Sequence, residues 1–122
     1  MTDRELLEAA AKAAGIEIDK STTNGGGRGN TGFDMQGNAM LDWHECIRWN
    51  PLTDDGDALR LFTKLPFRNL YVSEIGVTVF LPNKEGEIGL KCDEYADEHN
   101  GDLSAATRRA IVRAAAEIGE KL

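Results

Sequence analysis

Four side chains of this sequence could meet at one metal ion: His44 and Cys46, two residues apart, and Cys92 and His99, seven apart. Zinc sites built from neighbouring ligands use C-x₂₋₄-C or H-x₃₋₅-H spacing, because both ligands must reach the ion from one turn of chain. Neither pair has that spacing, and Cys92 falls in the apolar phase of an alternating stretch, so a buried thiol is expected and no metal is assigned. Asp54, Asp55 and Asp57 surround Gly56, but the twelve-residue calcium loop ending in glutamate is missing, and helix capping accounts for them. Gly27-Arg-Gly-Asn-Thr-Gly32 fits G-x-G-x-x-G. Dinucleotide binding needs a strand before that pattern and a helix after it, whereas Phe33 onward reads as strand. The serines are Ser21, Ser73 and Ser104, none in a nucleophile elbow, and His44 with Cys46 on one strand face would lack a third group to orient them. No catalytic residue and no cofactor is assigned, and the chain is expected not to be an enzyme.

Binding leaves more candidates. Trp43 and Trp49 each offer a flat face with few conformers to lose, suited to stacking on a base or anchoring a partner, with core packing as the competing use. Arg28 in the glycine-rich run, Arg48 beside Trp49, and Arg60 could meet phosphates. These five residues together are the expected ligand-binding set for a small nucleotide. The acidic stretches Asp54–Asp57 and Asp93–Glu98 suit a different ligand, a protein with a basic surface. Arg108, Arg109 and Arg113 read as a solvated patch, with Glu117 pairing to Arg113.

The 122-residue length suits one domain, and a 41% hydrophobic fraction suits a folded chain. No apolar run approaches the roughly 20 residues of a bilayer span, and no membrane partner is expected. A net charge of −7 repels a phosphate backbone, which argues against nucleic-acid polymers. Met1–Glu5 opens directly into a helical pattern with no secretory signal, and the two cysteines are expected to be reduced, so a cytoplasmic setting is expected.

The positioning elements follow from local patterns. Thr2-Asp-Arg-Glu5 is a capping box, the stripe Leu6, Leu7, Ala10, Ala11, Ala14 predicts a helix over 3–14, and Gly15-Ile16 closes it. Ile16-Glu-Ile18 alternates like a strand. Residues 21–32 form a glycine-rich loop, expected to be flexible. Phe33–Met35, a Gln36-Gly37-Asn38 turn and Ala39–Trp43 predict a hairpin. Asn50–Asp57 caps a helix whose buried stripe is Ala58, Leu61, Phe62 and Leu65, with Arg60 and Lys64 opposite and Pro66 as its stop. Tyr71–Leu81 predicts one strand with Ile75, Val77, Val79 and Leu81 on its apolar face. Asn83–Gly86 turns it into a second, where Ile88, Leu90 and Cys92 alternate with polar residues. After an acidic, turn-rich stretch from Asp93 to Gly101, Asp102 or Ser104 caps a helix striped by Ile111, Ala115, Ile118 and Leu122. The expected fold is α+β: an antiparallel sheet from two hairpins with three helices, in the order α-β-β-α-β-β-α.

The segments Trp49–Leu61 and Ala106–Gly119, with the leading Thr2–Gly15 helix, resemble a family of small bacteriophage and prophage proteins. That family carries an α-β-α sandwich domain of uncharacterised function. The glycine-rich Asn24–Gly32 stretch departs from it, and no catalytic residue is carried over, because the family has none assigned. The resemblance implies a phage accessory protein acting in the host bacterial cytoplasm. By analogy with small phage proteins that counter host defence, it implies sequestration of a host nucleotide immune signal without cleavage, or inhibition of a host protein through the acidic surface. A homo-oligomer is among the expected states, since symmetric assemblies place small-ligand pockets between protomers.

Overall fold

The first helix forms where the capping box predicts it. In the computed structural model, which describes residues 2–18, 32–42, 47–66, 69–82 and 88–122, helix α1 spans Asp3–Ala13. The Thr2 hydroxyl oxygen accepts the Glu5 amide at 3.1 Å and donates to Glu5 Oε1, also at 3.1 Å, satisfying a backbone donor that the helix itself leaves open. At the other end Gly15 takes a left-handed φ of +74°. That lets Ile16 N–H reach Ala11 O at 2.8 Å and Gly15 N–H reach Lys12 O at 3.2 Å, closing the last turn. Ile16–Ile18 joins no strand.

The first sheet holds β1 (Gly32–Phe33), β2 (Ala39–Asp42) and β3 (Ile47–Trp49), antiparallel in that order. The β1–β2 turn is organised by Asp34, whose carboxylate accepts the Gln36 amide at 3.0 Å, the Asn38 amide at 2.8 Å and Asn38 Nδ2 at 3.0 Å. Burial pushes the Asp34 carboxyl up, but these bonds and the nearby Arg48 outweigh it and hold the group below the usual range. Strand β3 departs from the expected order: three residues are too few for an alternation to show.

From β3 the chain turns through Asn50 and a fully buried Pro51 into helix α2 (Asp55–Lys64). Asp54 caps it by accepting the Asp57 amide at 2.8 Å. Asp57 in turn accepts the Asn50 amide at 2.9 Å, fixing the helix to the end of β3. Ala58 and Leu61 are buried, Phe62 and Leu65 half-buried, and the extended Leu65 that follows is the conformation Pro66 requires of its predecessor.

The single strand expected over Tyr71–Leu81 is two. Strands β4 (Asn69–Val72) and β5 (Gly76–Pro82) form a hairpin around Glu74-Ile75, closed by Ser73 N–H on Gly76 O at 2.8 Å. Ile75, expected on the apolar face, sits in the turn and is exposed. Strand β6 (Ile88–Tyr95) completes an antiparallel sheet ordered β4-β5-β6. Val77, Val79, Leu81 and Cys92 are buried on its inner face. The connection expected at Asn83–Gly86 lies outside the described residues. Gly76 is required by proximity: a Cβ there would stand 2.5 Å from the Glu94 carbonyl oxygen.

A short 3₁₀ turn (Ala96–His99) leads to Asn100 and Gly101, both left-handed. Asp102 then caps helix α3 (Leu103–Glu120) through the Ala105 amide at 3.1 Å. Helix α3 is the centre of the molecule: it lies beneath the second sheet and packs against both α1 and α2. Its crossing with α1 is a seam of small side chains, with Ala10, Ala11 and Ala14 on one helix and Ala114–Ala116 and Gly119 on the other all buried. Leu122, expected to end the buried stripe, lies past the helix end and is exposed. The class is α+β, with the order α-β-β-β-α-β-β-β-α and two three-stranded antiparallel sheets in place of one. Among the described residues no helix is long and apolar enough to cross a membrane.

Candidate functional site

The five residues expected to hold a nucleotide are not gathered into a site. Arg28 and Trp43 lie outside the described residues, as do His44, Cys46 and residues 27–31 of the glycine motif. Trp49 is 6% exposed and belongs to the core, which corrects its reading as a stacking surface: β3 turns it inward. Arg48, its neighbour in β3, is exposed and lies 3.6 Å from Asp34. Arg60 donates to Asp57 at 2.6 Å and stands 3.8 Å from Asp54. Among the described residues Arg48 and Arg60 share no partner, and each faces a carboxylate of its own chain.

The patch expected to be solvated, Arg108, Arg109 and Arg113, is turned toward the protein instead. Arg108 donates to Leu52 O at 2.8 Å and to Asp55 at 2.7 Å, and Arg109 donates to Asp3 at 2.9 Å. Arg113 pairs with Glu94, not Glu117, and also donates to Asp93 O at 2.8 Å. Glu94 is a buried carboxylate with both oxygens engaged: Oε2 takes Arg113 and Oε1 takes His99 Nε2 at 2.8 Å, with Arg109 Nε at 3.9 Å. Burial works against the Arg113 charge, but the Glu94 carboxylate offsets it and lifts the guanidinium above its ordinary value. This cluster ties β6, the 3₁₀ turn, α3 and, through Asp3, the start of α1. With both oxygens engaged by side chains from two other elements, Glu94 is built to hold elements together. Sequence reasoning placed Glu94 in an acidic loop. The signal was its phase: it continues the inward positions of Cys92, so a carboxylate in an apolar phase had to find cations.

Cys92 is buried, as expected, and burial pushes its thiol above the usual range, with Arg113 partly opposing. His99 is spent on Glu94 and not on Cys92. Among the described residues no group of three or more His, Cys, Asp or Glu side chains is placed to hold a metal ion.

The feature with the shape of a binding site is a cleft of about 380 Å³ between α2, α3 and β4. Its apolar walls are Leu59 and Phe62 of α2, Leu70 and Val72 of β4, and Leu103 and Ile111 of α3, with Ala58 among them. Leu59 is 62% and Val72 48% exposed, a large apolar surface for the mouth of a groove. The Asp55–Arg108 ion pair is part of its lining. Thr107 has its hydroxyl on Leu103 O at 2.7 Å, so it offers no donor to a ligand. The acidic runs reach the surface only in part, since Asp57 and Glu94 turn inward while Asp54, Asp55, Asp97 and Glu98 are exposed. Sequence reasoning missed the cleft because β4, one of its walls, was hidden within a longer apparent strand. No protein-family profile, no curated protein and no solved structure matches this chain.

Proposed function

We propose that this chain is a non-catalytic binding module that holds another protein in the cleft between α2, α3 and β4. One observation carries the reading: a groove walled by exposed Leu59 and Val72 with Phe62, Leu70, Leu103 and Ile111, whose polar lining is Ser104, Thr107 and the Asp55–Arg108 pair. Apolar walls beside charged groups are the anatomy of a protein–protein contact, and exposed Asp102, next to Leu103, and Glu74, two residues past Val72, favour a basic partner. The nucleotide reading has less support among the described residues. A nucleotide needs a flat exposed ring and cations free to meet phosphate, whereas Trp49 is in the core and Arg60 and Arg108 are held by carboxylates. Should the phage resemblance of Trp49–Leu61 and Ala106–Gly119 hold, the partner is a host protein and the module its inhibitor.

The test places a photo-crosslinking residue at Leu59 and, as a control, at Leu122. Expected is one cross-linked adduct from host lysate at position 59, absent at 122 and lost in a Val72→Asp background that keeps its thermal midpoint. A panel of cyclic and linear nucleotides is expected to leave the midpoint unmoved. A nucleotide that raises it overturns the reading, because a ligand bound only to the folded state stabilises it by mass action.

A further inference from the structure

We infer that the partner enters as an extended strand added to the open edge of β4, and that it is apolar at alternate positions and basic at its flanks; this rests on the cleft as a protein-binding site. Among the described residues β4 pairs only with β5, which leaves its other edge unpaired. The orientation of that edge follows from the register. Ser73 N–H bonds Gly76 O, so 73 and 76 form a hydrogen-bonded pair, and such pairs alternate along an antiparallel ladder. The pairs Val72–Val77 and Leu70–Val79 are therefore the non-bonded ones, whose N–H and C=O groups point away from β5. Leu70 and Val72 are also the β4 side chains that line the cleft. The same two residues thus offer main-chain hydrogen bonds outward and apolar side chains downward, which is what strand addition requires of an edge.

The packing points the same way. The sheet covers α3 and stops short of α2, whose Leu59 is left exposed. A fourth strand would lie over α2, and its alternate side chains would fill the cleft. Charge selects among occupants. Glu74 in the turn after β4 and Asp102 before α3 are exposed carboxylates, while Asp54 and Asp55 at the start of α2 are matched by Arg60 and Arg108, and Lys64 stands exposed and basic at the far end of α2. A second copy of this chain, pairing β4 to β4, would bring the same carboxylates together in a chain of net charge −7. A basic segment meets no such repulsion.

The experiment presents the intact protein with a displayed heptapeptide library and follows hydrogen exchange of the β4 amides with an enriched peptide bound. Expected are sequences with apolar residues at every second position and Lys or Arg at the ends, and slowed exchange at Leu70 and Val72. Val72→Pro, which removes an outward-facing N–H and leaves the β5 ladder intact, is expected to weaken binding roughly fivefold to tenfold, as for one lost hydrogen bond. Enrichment at helical i, i+4 spacing, acidic flanks, no enrichment, or unchanged exchange at Leu70 and Val72 overturns strand addition. So does a dimer in light scattering that Val72→Pro dissolves. If Val72→Pro does not fold, exchange in the unsubstituted protein decides. Strand addition fails alone when Leu59 still cross-links a partner but these signatures are missing; both readings fail when the cross-link is missing too.

Discussion

Substituting Gly119 with alanine should destabilise the protein, against the usual direction for glycine inside a helix. Gly119 lies within α3 and is buried against α1. A Cβ at that position would fall far inside contact distance of the Ala9 carbonyl oxygen and 3.3 Å from Ala9 Cα. These are backbone atoms, so no side chain can swing away, and α1 must move off α3 by a distance on the order of 1 Å. The α1 face at risk is Leu6, Leu7, Ala10, Ala11 and Ala14, whose burial is worth about 6 kcal/mol at roughly 2 per leucine and 0.8 per methyl. A gap of about that width forfeits a quarter to a half of the contact energy, or about 1.5–3 kcal/mol. Alanine returns about 1 kcal/mol in helix propensity. The net loss is about 0.5–2 kcal/mol, read as a fall of roughly 2–10 °C in thermal midpoint. Gly56→Ala is the internal control. There the three nearest atoms to the added Cβ are side-chain ends of Arg60 and Asp54, each at 3.2 Å; Arg60 can swing away and the capping Asp54 needs to give by only a few tenths of an ångström, so the midpoint should hold or fall far less than for Gly119→Ala. Calorimetry on both variants checks the pair. If Gly119→Ala holds or raises the midpoint, the close α1–α3 crossing is wrong.

The remaining expectations concern charge. Because Asp34 is held below the usual carboxylate range in the folded state, its contribution is complete above that range and is lost as pH falls through the lowered value. Asp34→Ala should remove about 2 kcal/mol at pH 7 and progressively less as the pH is taken down through the acid range, by urea denaturation at each pH. Glu94→Gln leaves Arg113 facing a neutral amide. With Arg113 itself 40% exposed, the loss should be about 1–3 kcal/mol, below that of a fully buried pair, and chemical denaturation that finds no loss would deny the cluster its anchoring role. Cys92, buried and with its thiol raised, should resist a thiol reagent at pH 7.5 in the native protein and react fully in denaturant; rapid native labelling would contradict its placement.

The three helices were legible because each announces its ends with side chains that satisfy its own orphan amides: Thr2, Asp54 and Asp102 all accept the amide three residues on. The β5–β6 pair was legible because Val77, Val79 and Leu81 alternate over one buried face. The β4–β5 turn was not. Its central residues, Glu74 and Ile75, turn without a positive φ, so no glycine, asparagine or proline marks them, and a β-branched residue in the turn continued the apparent alternation. Everything downstream of that one turn was lost with it: the edge strand, the wall it gives the cleft, and the reason Leu59 is exposed.

The candidate site failed in sequence for a related reason. Residue type does not say which way a short strand faces, and in a three-residue strand the inward position is set by its neighbours. Trp49 pairs with Ala39 and is buried, while Arg48 pairs with Met40 and reaches solvent although Met40 is itself buried, so the strand's facing is decided by what packs on each side and not by residue type. The arginines misled differently. A guanidinium is expected to be solvated unless a carboxylate can reach it, and the carboxylates that do so for Arg108, Arg109 and Arg113 come from Asp55, Asp3 and Glu94. The first two of these pairings span more than 50 residues of sequence and the third nearly 20, so local charge patterning could not anticipate them. Among the described residues such pairings leave no arginine of the cleft free to meet a phosphate, while Glu74 and Asp102 stay exposed beside its apolar walls, and that combination, invisible in either ingredient alone, is what points the binding reading from a nucleotide toward a basic strand.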